Sequence, residues 1–119
     1  MDDLTDLLRK KMNSDDWFTT DLRVSLIWDD TKYLETIDLI KGIMNKYRNN
    51  FLIPKILIRF FTFDVDMITG ITRNKLFFNV KSDKINDIDS YRKLVKCRIA
   101  ELNELRDTFF AGEEGEELL

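Results

Sequence analysis

The 119-residue sequence predicts a small α+β domain, in which an antiparallel or mixed sheet is built around a β-hairpin at about residues 55–81 and packs against three helices. Apolar residues recur at steps of three and four in three stretches, about 2–12, 31–49 and 85–110, which is the helical period. Two runs rich in β-branched and aromatic residues flank Thr69-Gly70, a pattern typical of a hairpin. The alternative is a mainly α domain with one hairpin.

The first helix is predicted over residues 2–12. Leu4, Leu7 and Leu8 lie at helical spacing. Acidic residues open the stretch and three basic residues, at 9–11, close it, which suits the helix dipole.

Residues 17–28 fit two structures. Leu22, Val24 and Leu26 alternate with polar residues, as in a half-buried strand. Ser14, followed by two aspartates, would equally start a helix. The alternation favours a strand from about residue 21.

The second helix is predicted over residues 31–49, with Asp30 as its cap. Tyr33, Ile37, Ile40 and Met44 form its apolar stripe, and two asparagines end it.

The hairpin has one register that satisfies both of its faces. With residues 69 and 70 as the loop, opposite charges pair on one face and apolar side chains pair on the other: Asp66 with Arg73, Asp64 with Lys75, Phe63 with Leu76 and Phe61 with Phe78. This agreement favours the hairpin.

The third helix is predicted over residues 85–110, started by Asp83 or Asn86 and stopped by Gly112. Residues 1–111 are interpreted as a single globular domain. Residues 112–119 contain four of the 22 acidic residues and are interpreted as an acidic, mobile tail. The net charge is −3 with this tail and +1 without it, so the body is nearly neutral.

Composition excludes several kinds of catalytic site. The chain has no histidine, which excludes histidine-based triads and histidine-ligated zinc. Cys97 is its one cysteine, so it has neither an internal disulfide nor a thiolate zinc site. Its four glycines cannot assemble a phosphate-binding loop. We therefore expect no catalytic residue, no resident metal and no cofactor, and we expect that the protein is not an enzyme.

The sequence also bears on compartment. The N-terminus is acidic, unlike a secretory signal, and no run approaches the ~20 apolar residues of a membrane span. A single cysteine fits a reducing compartment. These features predict a cytoplasmic or otherwise intracellular protein with no membrane partner.

The leading functional hypothesis is a non-enzymatic protein-interaction module: a small subunit, adaptor or inhibitor in a larger assembly, viral or phage assemblies included. Its partner would be another protein or a second copy in a homo-oligomer. Apolar side chains on the outer hairpin face and anchors on the last helix would supply the contacts: Ile58, Phe60, Phe77, Tyr91, Arg98 and Leu105. Arg98 lies on the apolar stripe of that helix, although Ile99 could take the inward place while Arg98 extends to solvent.

Two alternatives come from other classes. The less favoured nucleic-acid hypothesis uses bases of the hairpin and the last helix, which are Arg73, Lys75, Arg92, Lys93 and Lys96. The third hypothesis is a Mg²⁺-dependent phosphoryl-transfer enzyme using Asp64 and Asp66, which would share one face of a strand. The hairpin register instead gives those two carboxylates structural partners.

Overall fold

The protein is a bundle of α-helices in the computed structural model, which describes residues 3–50, 52–74, 77 and 87–111. Within those residues five helices follow one another: α1 (Asp3–Met12), α2 (Phe18–Ser25), α3 (Asp30–Lys46), α4 (residues 55–73) and α5 (Ile88–Ala111). The described part of the chain contains no strand, so the prediction of an α+β fold built on a hairpin is wrong. The alternative prediction was a mainly α domain with one hairpin, and its hairpin is contradicted as well.

Helix α1 packs against α3 through its leucines. Leu8 is fully buried, whereas Leu7 is exposed. Leu4 packs over Gly42 of α3, where an added Cβ atom would make an ordinary van der Waals contact, 3.5 Å from Leu4 Cδ1. The helix predicted over residues 2–12 thus coincides with α1 over the described residues 3–12.

Residues 17–28 contain helix α2, so the favoured strand from residue 21 is wrong. Phe18, Thr19 and Leu22 are buried at helical spacing, while Val24 is 74% exposed. Leu26 ends the helix in the left-handed conformation (φ 57°, ψ 30°) and donates its N–H to Leu22 O. The alternation from Leu22 to Leu26 is therefore the end of a helix rather than a strand.

Helix α3 presents a buried stripe to the core: Tyr33, Thr36, Ile37, Leu39, Ile40 and Ile43. Its cap is Asp29 and not Asp30, since Asp29 Oδ1 accepts the Lys32 N–H at 3.2 Å. Asp30 is the first helical residue, and its carboxylate pairs with Arg98 of α5 instead.

Helix α4 occupies the region predicted as the first hairpin strand and turn. It has three continuous parts: Lys55–Arg59, the π-helical Phe60–Asp64 and Val65–Arg73. Its buried residues recur at helical spacing: Leu57, Phe60, Phe61, Asp64, Val65, Ile68, Thr69 and Thr72. Gly70 is an exposed position within the last part and not a turn. The β-branched and aromatic content therefore reflects burial in a helix.

The predicted second hairpin strand, residues 74–81, falls largely outside the described residues. Asn74 follows the end of α4. Phe77 is buried and stacks on Tyr91 of α5, with ring centroids 6.1 Å apart. Lys75 lies outside the described residues.

Helix α5 begins at Ile88, and Asp87 caps it by accepting the N–H groups of Asp89 (3.0 Å) and Ser90 (3.3 Å). Neither predicted starting residue, Asp83 or Asn86, lies within the described residues.

Helices α4 and α5 run antiparallel. Phe61 stacks on Phe109 with centroids 4.5 Å apart, and Asp66 pairs with Arg106 at 3.0 Å. Helix α3 runs in the same direction as α5, because the Tyr33 hydroxyl donates to Arg98 O while the end of α3 meets Phe109.

A core rich in aromatic rings joins the helices. Phe18 contacts Trp28 and Tyr33 edge-on, with centroids 5.0 and 5.9 Å away, and Trp17 contacts Phe60 at 6.4 Å. The molecule measures 46 × 31 × 19 Å, and its shortest dimension matches two layers of helices. No helix in the described ranges combines the length and the apolar character needed to cross a bilayer.

Candidate functional site

The π-helical part of α4 places a carboxyl group in an unusual environment. Here the Val65 N–H bonds to Phe60 O, five residues back, and Asp64 faces inward. Short π-helical turns within α-helices occur frequently at functional sites. Asp64 is only 4% exposed.

Asp64 lacks the partners that a buried carboxylate ordinarily has. Trp17 lies in the same cleft as the carboxyl group, but Asp64 Oδ2 has no hydrogen-bonding partner in the described chain. Burial raises the pKa of the carboxyl to about 6, against the opposing effect of the Arg59 charge.

Asp64 lies in a cleft of about 220 Å³, the carboxyl cleft, formed between α2, α4 and the end of α1. A second buried polar atom without a partner, Thr19 Oγ1, belongs to the same cleft. The remaining lining residues are Met12, Trp17, Thr20, Arg23, Arg59, Phe63 and Met67. Two unpartnered polar atoms in one cleft indicate a place for a ligand or water.

A second candidate surface lies where α3 and α5 end and α4 begins. Four apolar side chains are exposed there and form the apolar end: Leu52, Ile53, Ile58 and Phe110. Leu52 is 85% exposed and Phe110 56%. Ile53 also lines a cleft of about 140 Å³ beside Leu57 and Phe109.

The stretch of sequence that contains Leu52, Ile53 and Ile58 carries charges of one sign only. Between Asp38 and Asp64 the chain carries five basic residues and no acidic one: Lys41, Lys46, Arg48, Lys55 and Arg59. Arg48 lines the 140 Å³ cleft itself. This surface therefore favours partners with negative charge.

Arg98 is part of an internal connection between α5 and α3. Its guanidinium binds Asp30 through two hydrogen bonds, of 2.9 and 3.0 Å, and Glu101 through a third, of 2.9 Å. It also lies 5.9 Å from the centre of the Tyr33 ring. Burial opposes ionisation of Asp30, yet hydrogen bonds from Arg98 and Trp28 hold its pKa below the ordinary value.

The other predicted interaction residues are dispersed. The sequence predicted that Phe60 and Phe77 lie on an exposed hairpin face. Both side chains are buried instead. Ile58 is exposed at the apolar end. Tyr91 and Leu105 are partly buried against the core, and the Tyr91 hydroxyl accepts the Trp28 N–H at 2.9 Å.

Two of the predicted nucleic-acid residues meet. Arg73 and Lys96 line a groove between α4 and α5 together with Arg106, which we call the basic groove. Asp66 lies in the same groove and pairs with Arg106. Arg92 and Lys93 are exposed on α5 and are not among the groove's lining residues.

Asp64 and Asp66 do not form a joint site. Asp64 is buried, whereas Asp66 is exposed on another face of α4. In the described residues no group of three or more potential metal ligands comes together. Asp66 pairs with Arg106 rather than with Arg73 across a hairpin. The expected partner of Asp64, Lys75, lies outside the described residues.

Sequence reasoning missed Trp17, Thr19, Arg23 and Arg59, which surround Asp64. The absence of acidic residues between Asp38 and Asp64 was visible in the sequence and would have drawn attention to the apolar end.

No protein-family model matches the chain, and neither a curated protein nor a solved structure is similar to it. The function is therefore argued from the surfaces alone.

Proposed function

We propose that the protein is a non-enzymatic interaction module whose apolar end binds a partner segment that combines apolar and acidic side chains. The observation that carries this proposal is the exposure of Leu52, Ile53 and Ile58 within residues 39–63, whose charged residues are all basic. Exposed apolar side chains that cluster beside a cleft mark an interaction surface.

The cleft supports recognition of individual side chains. Its apolar lining includes Met44, Tyr47, Ile53, Leu57 and Phe109. At about 140 Å³ it has room for one or two side chains of a partner. Met44 can adjust to their shapes, since methionine is flexible and polarisable.

The charge argues for an acidic partner rather than a second copy. In a symmetric dimer through the apolar end, the basic residues of residues 39–63 would face those of the other copy and repel them. Acidic residues on a different protein would be attracted to the same surface. The module would serve as a small subunit, adaptor or inhibitor in an intracellular assembly, in keeping with its single cysteine.

The test is binding of two synthetic helical peptides to the full chain, measured by fluorescence anisotropy. Both peptides carry leucines at helical spacing; the intervening residues are glutamates in one and lysines in the other. We expect the glutamate peptide to bind and the lysine peptide to bind at least tenfold more weakly. Phe110→Glu should abolish binding, because it places a negative charge in the contact.

Val24→Glu is the matched control, because Val24 is exposed on α2 and is not among the residues of the apolar end. It should bind the glutamate peptide as the unmodified chain does. Equal binding of the two peptides, binding of neither, or equal effects of Phe110→Glu and Val24→Glu would overturn the proposal.

A second candidate function is binding of nucleic acid at the basic groove, because Arg73, Lys96 and Arg106 converge there. It predicts retention on heparin that falls steeply with salt. Retention that is lost in Arg73→Gln would support it, and absence of retention at low salt would contradict it.

A further inference from the structure

We propose that the carboxyl cleft binds a small amino-acid-like zwitterion, with its ammonium group deep in the cleft at Asp64 and Thr19 and its carboxylate at the rim. This site is separate from the apolar end and does not depend on the function proposed for that surface.

The deep part of the cleft is suited to a hydrogen-bond donor. Asp64 Oδ2 is buried and no protein group in the described chain donates to it. Thr19 Oγ1 is equally unpartnered, and its residue is only 2% exposed. An ammonium group carries three donors, which is enough for both oxygens. Leaving such atoms without partners is costly, so binding there relieves an existing penalty.

The rim of the cleft is suited to an anionic group instead. Arg23 and Arg59 line it, and both are exposed. Neither forms an ion pair with Asp64 in the described part of the chain. Their guanidinium groups are therefore available to an anionic group, and carboxylates suit guanidinium geometry.

The walls between these two ends are apolar. Met12, Phe63 and Met67 supply them, and Phe63 is 55% exposed. The volume of about 220 Å³ lies below the roughly 300 Å³ at which pockets for drug-sized molecules begin. A short aliphatic chain bearing an ammonium and a carboxylate fits this order of polarity.

Water is the ordinary occupant of a polar cleft, and it would satisfy the two deep oxygens. The combination of a buried carboxylate, apolar walls and two arginines at the rim points beyond water, because water makes no use of the walls or of the separated charges.

The indole N–H groups of the two tryptophans allow a direct test by NMR. Trp17 lines the cleft beside Asp64, whereas the Trp28 indole donates to Asp30 at 3.1 Å, outside the cleft lining. The probe is 6-aminohexanoate, whose ammonium and carboxylate stand at opposite ends of a short alkyl chain; n-pentylamine lacks its carboxylate and hexanoate lacks its ammonium group. The full chain is titrated with each compound at neutral pH.

We expect 6-aminohexanoate to shift the Trp17 indole signal in a saturable manner and to leave the Trp28 signal unchanged. Each of the two truncated analogues should bind at least about tenfold more weakly, because a charge-assisted contact is lost. Asp64→Asn and Thr19→Val should each weaken the response to 6-aminohexanoate, and Arg23→Gln should weaken it without changing the response to n-pentylamine.

Asp66→Asn is the matched control, since Asp66 is two residues away on the exposed face of α4. It should respond to 6-aminohexanoate as the unmodified chain does. If no compound shifts the Trp17 signal, the cleft holds water only and the proposal is overturned. Equal shifts from 6-aminohexanoate and hexanoate, or an unchanged response in a folded Asp64→Asn chain, would overturn it as well.

Discussion

At the scale of single residues, the buried carboxyl of Asp64 makes stability depend on pH. Its pKa rises from an ordinary 3.8 to about 6 on folding. Well below pH 3.8 the group is protonated in both the folded and unfolded states and costs nothing. Between pH 3.8 and about 6 the unfolded chain gives up this proton while the folded chain retains it, so the free energy of unfolding falls, by about 3 kcal/mol in all, and it levels off above pH 6.

Asp64→Asn should remove this loss, because the amide stays neutral. In urea denaturation we expect the variant to resemble the unmodified chain near pH 4 and to exceed it by about 2 kcal/mol at pH 7.5. Asp66→Asn serves as the reference for an exposed carboxylate of the same helix. If the free energies of unfolding of Asp64→Asn and the unmodified chain differed by the same amount at all pH values, the loss of stability could not be attributed to Asp64.

The pair formed by Arg98 and Asp30 should be energetically coupled. Both side chains are largely shielded, and the two hydrogen bonds fix the geometry. A double-mutant cycle with Arg98→Ala and Asp30→Ala should give a coupling energy of about 1–2 kcal/mol in urea denaturation at pH 7. The exposed Arg9–Asp6 pair should give no more than about 0.5 kcal/mol in the same cycle. Equal coupling in the two cycles would show that the shielding has no effect.

At the scale of elements, Gly70 distinguishes a helix from a hairpin. It lies inside the last part of α4, and a Cβ atom added there would meet nothing within 4 Å. Gly70→Ala should therefore stabilise the protein by about 0.5–1 kcal/mol, seen as a higher Tm in thermal denaturation. In a tight turn the same change would lower the Tm, and that result would contradict a helical α4.

The sequence predicted the helices whose apolar residues follow only the helical period. It missed those whose residues fit both the helical period and the strand period of two. Residues 31–49 contain a single stripe, and α3 begins one residue before that range and ends three residues before its end. In α4 the same aromatic and β-branched residues satisfy both a step of two and a step of 3.6, and the charge pairs of the hypothetical register favoured the strand. What decided the outcome was tertiary: Phe61 packs on Phe109 of α5, a contact 48 positions away that local patterns do not contain.

The candidate sites were predictable only in part, for the same reason. Asp64 stood out in the sequence as one of two nearby carboxylates. Its neighbours Trp17 and Thr19 lie at the start of α2, in a stretch whose later part, from about residue 21, the alternation had favoured as a strand. Because a cleft is formed by residues far apart in sequence, its composition depends on the packing of helices rather than on any motif.

At the scale of the whole molecule, charge is distributed unevenly. Residues 39–63 carry only basic charges, while residues 113–117 carry four glutamates. A chain ending at Ala111 has a net charge of +1 instead of −3. It should bind the glutamate peptide severalfold more tightly at low salt, and this gain should shrink as salt screens the charges.

The matched control for this truncation is the full-length chain with those four glutamates changed to glutamine. It should show the same gain if charge is responsible. A gain that persists in 1 M salt would indicate instead that the two terminal leucines compete for the apolar end.

The π-helical part of α4 also has a consequence for how Asp64 could be lost from the cleft. Its hydrogen bond from Val65 to Phe60 spans one residue more than an α-helical bond. Loss of one codon there, at the exposed Thr62 for example, would let the chain continue as an ordinary α-helix. The parts on either side would keep their packing against α1, α2 and α5. The direction of the buried carboxyl would change, so a single-codon deletion should remove Asp64 from the cleft while the helical scaffold is inherited intact.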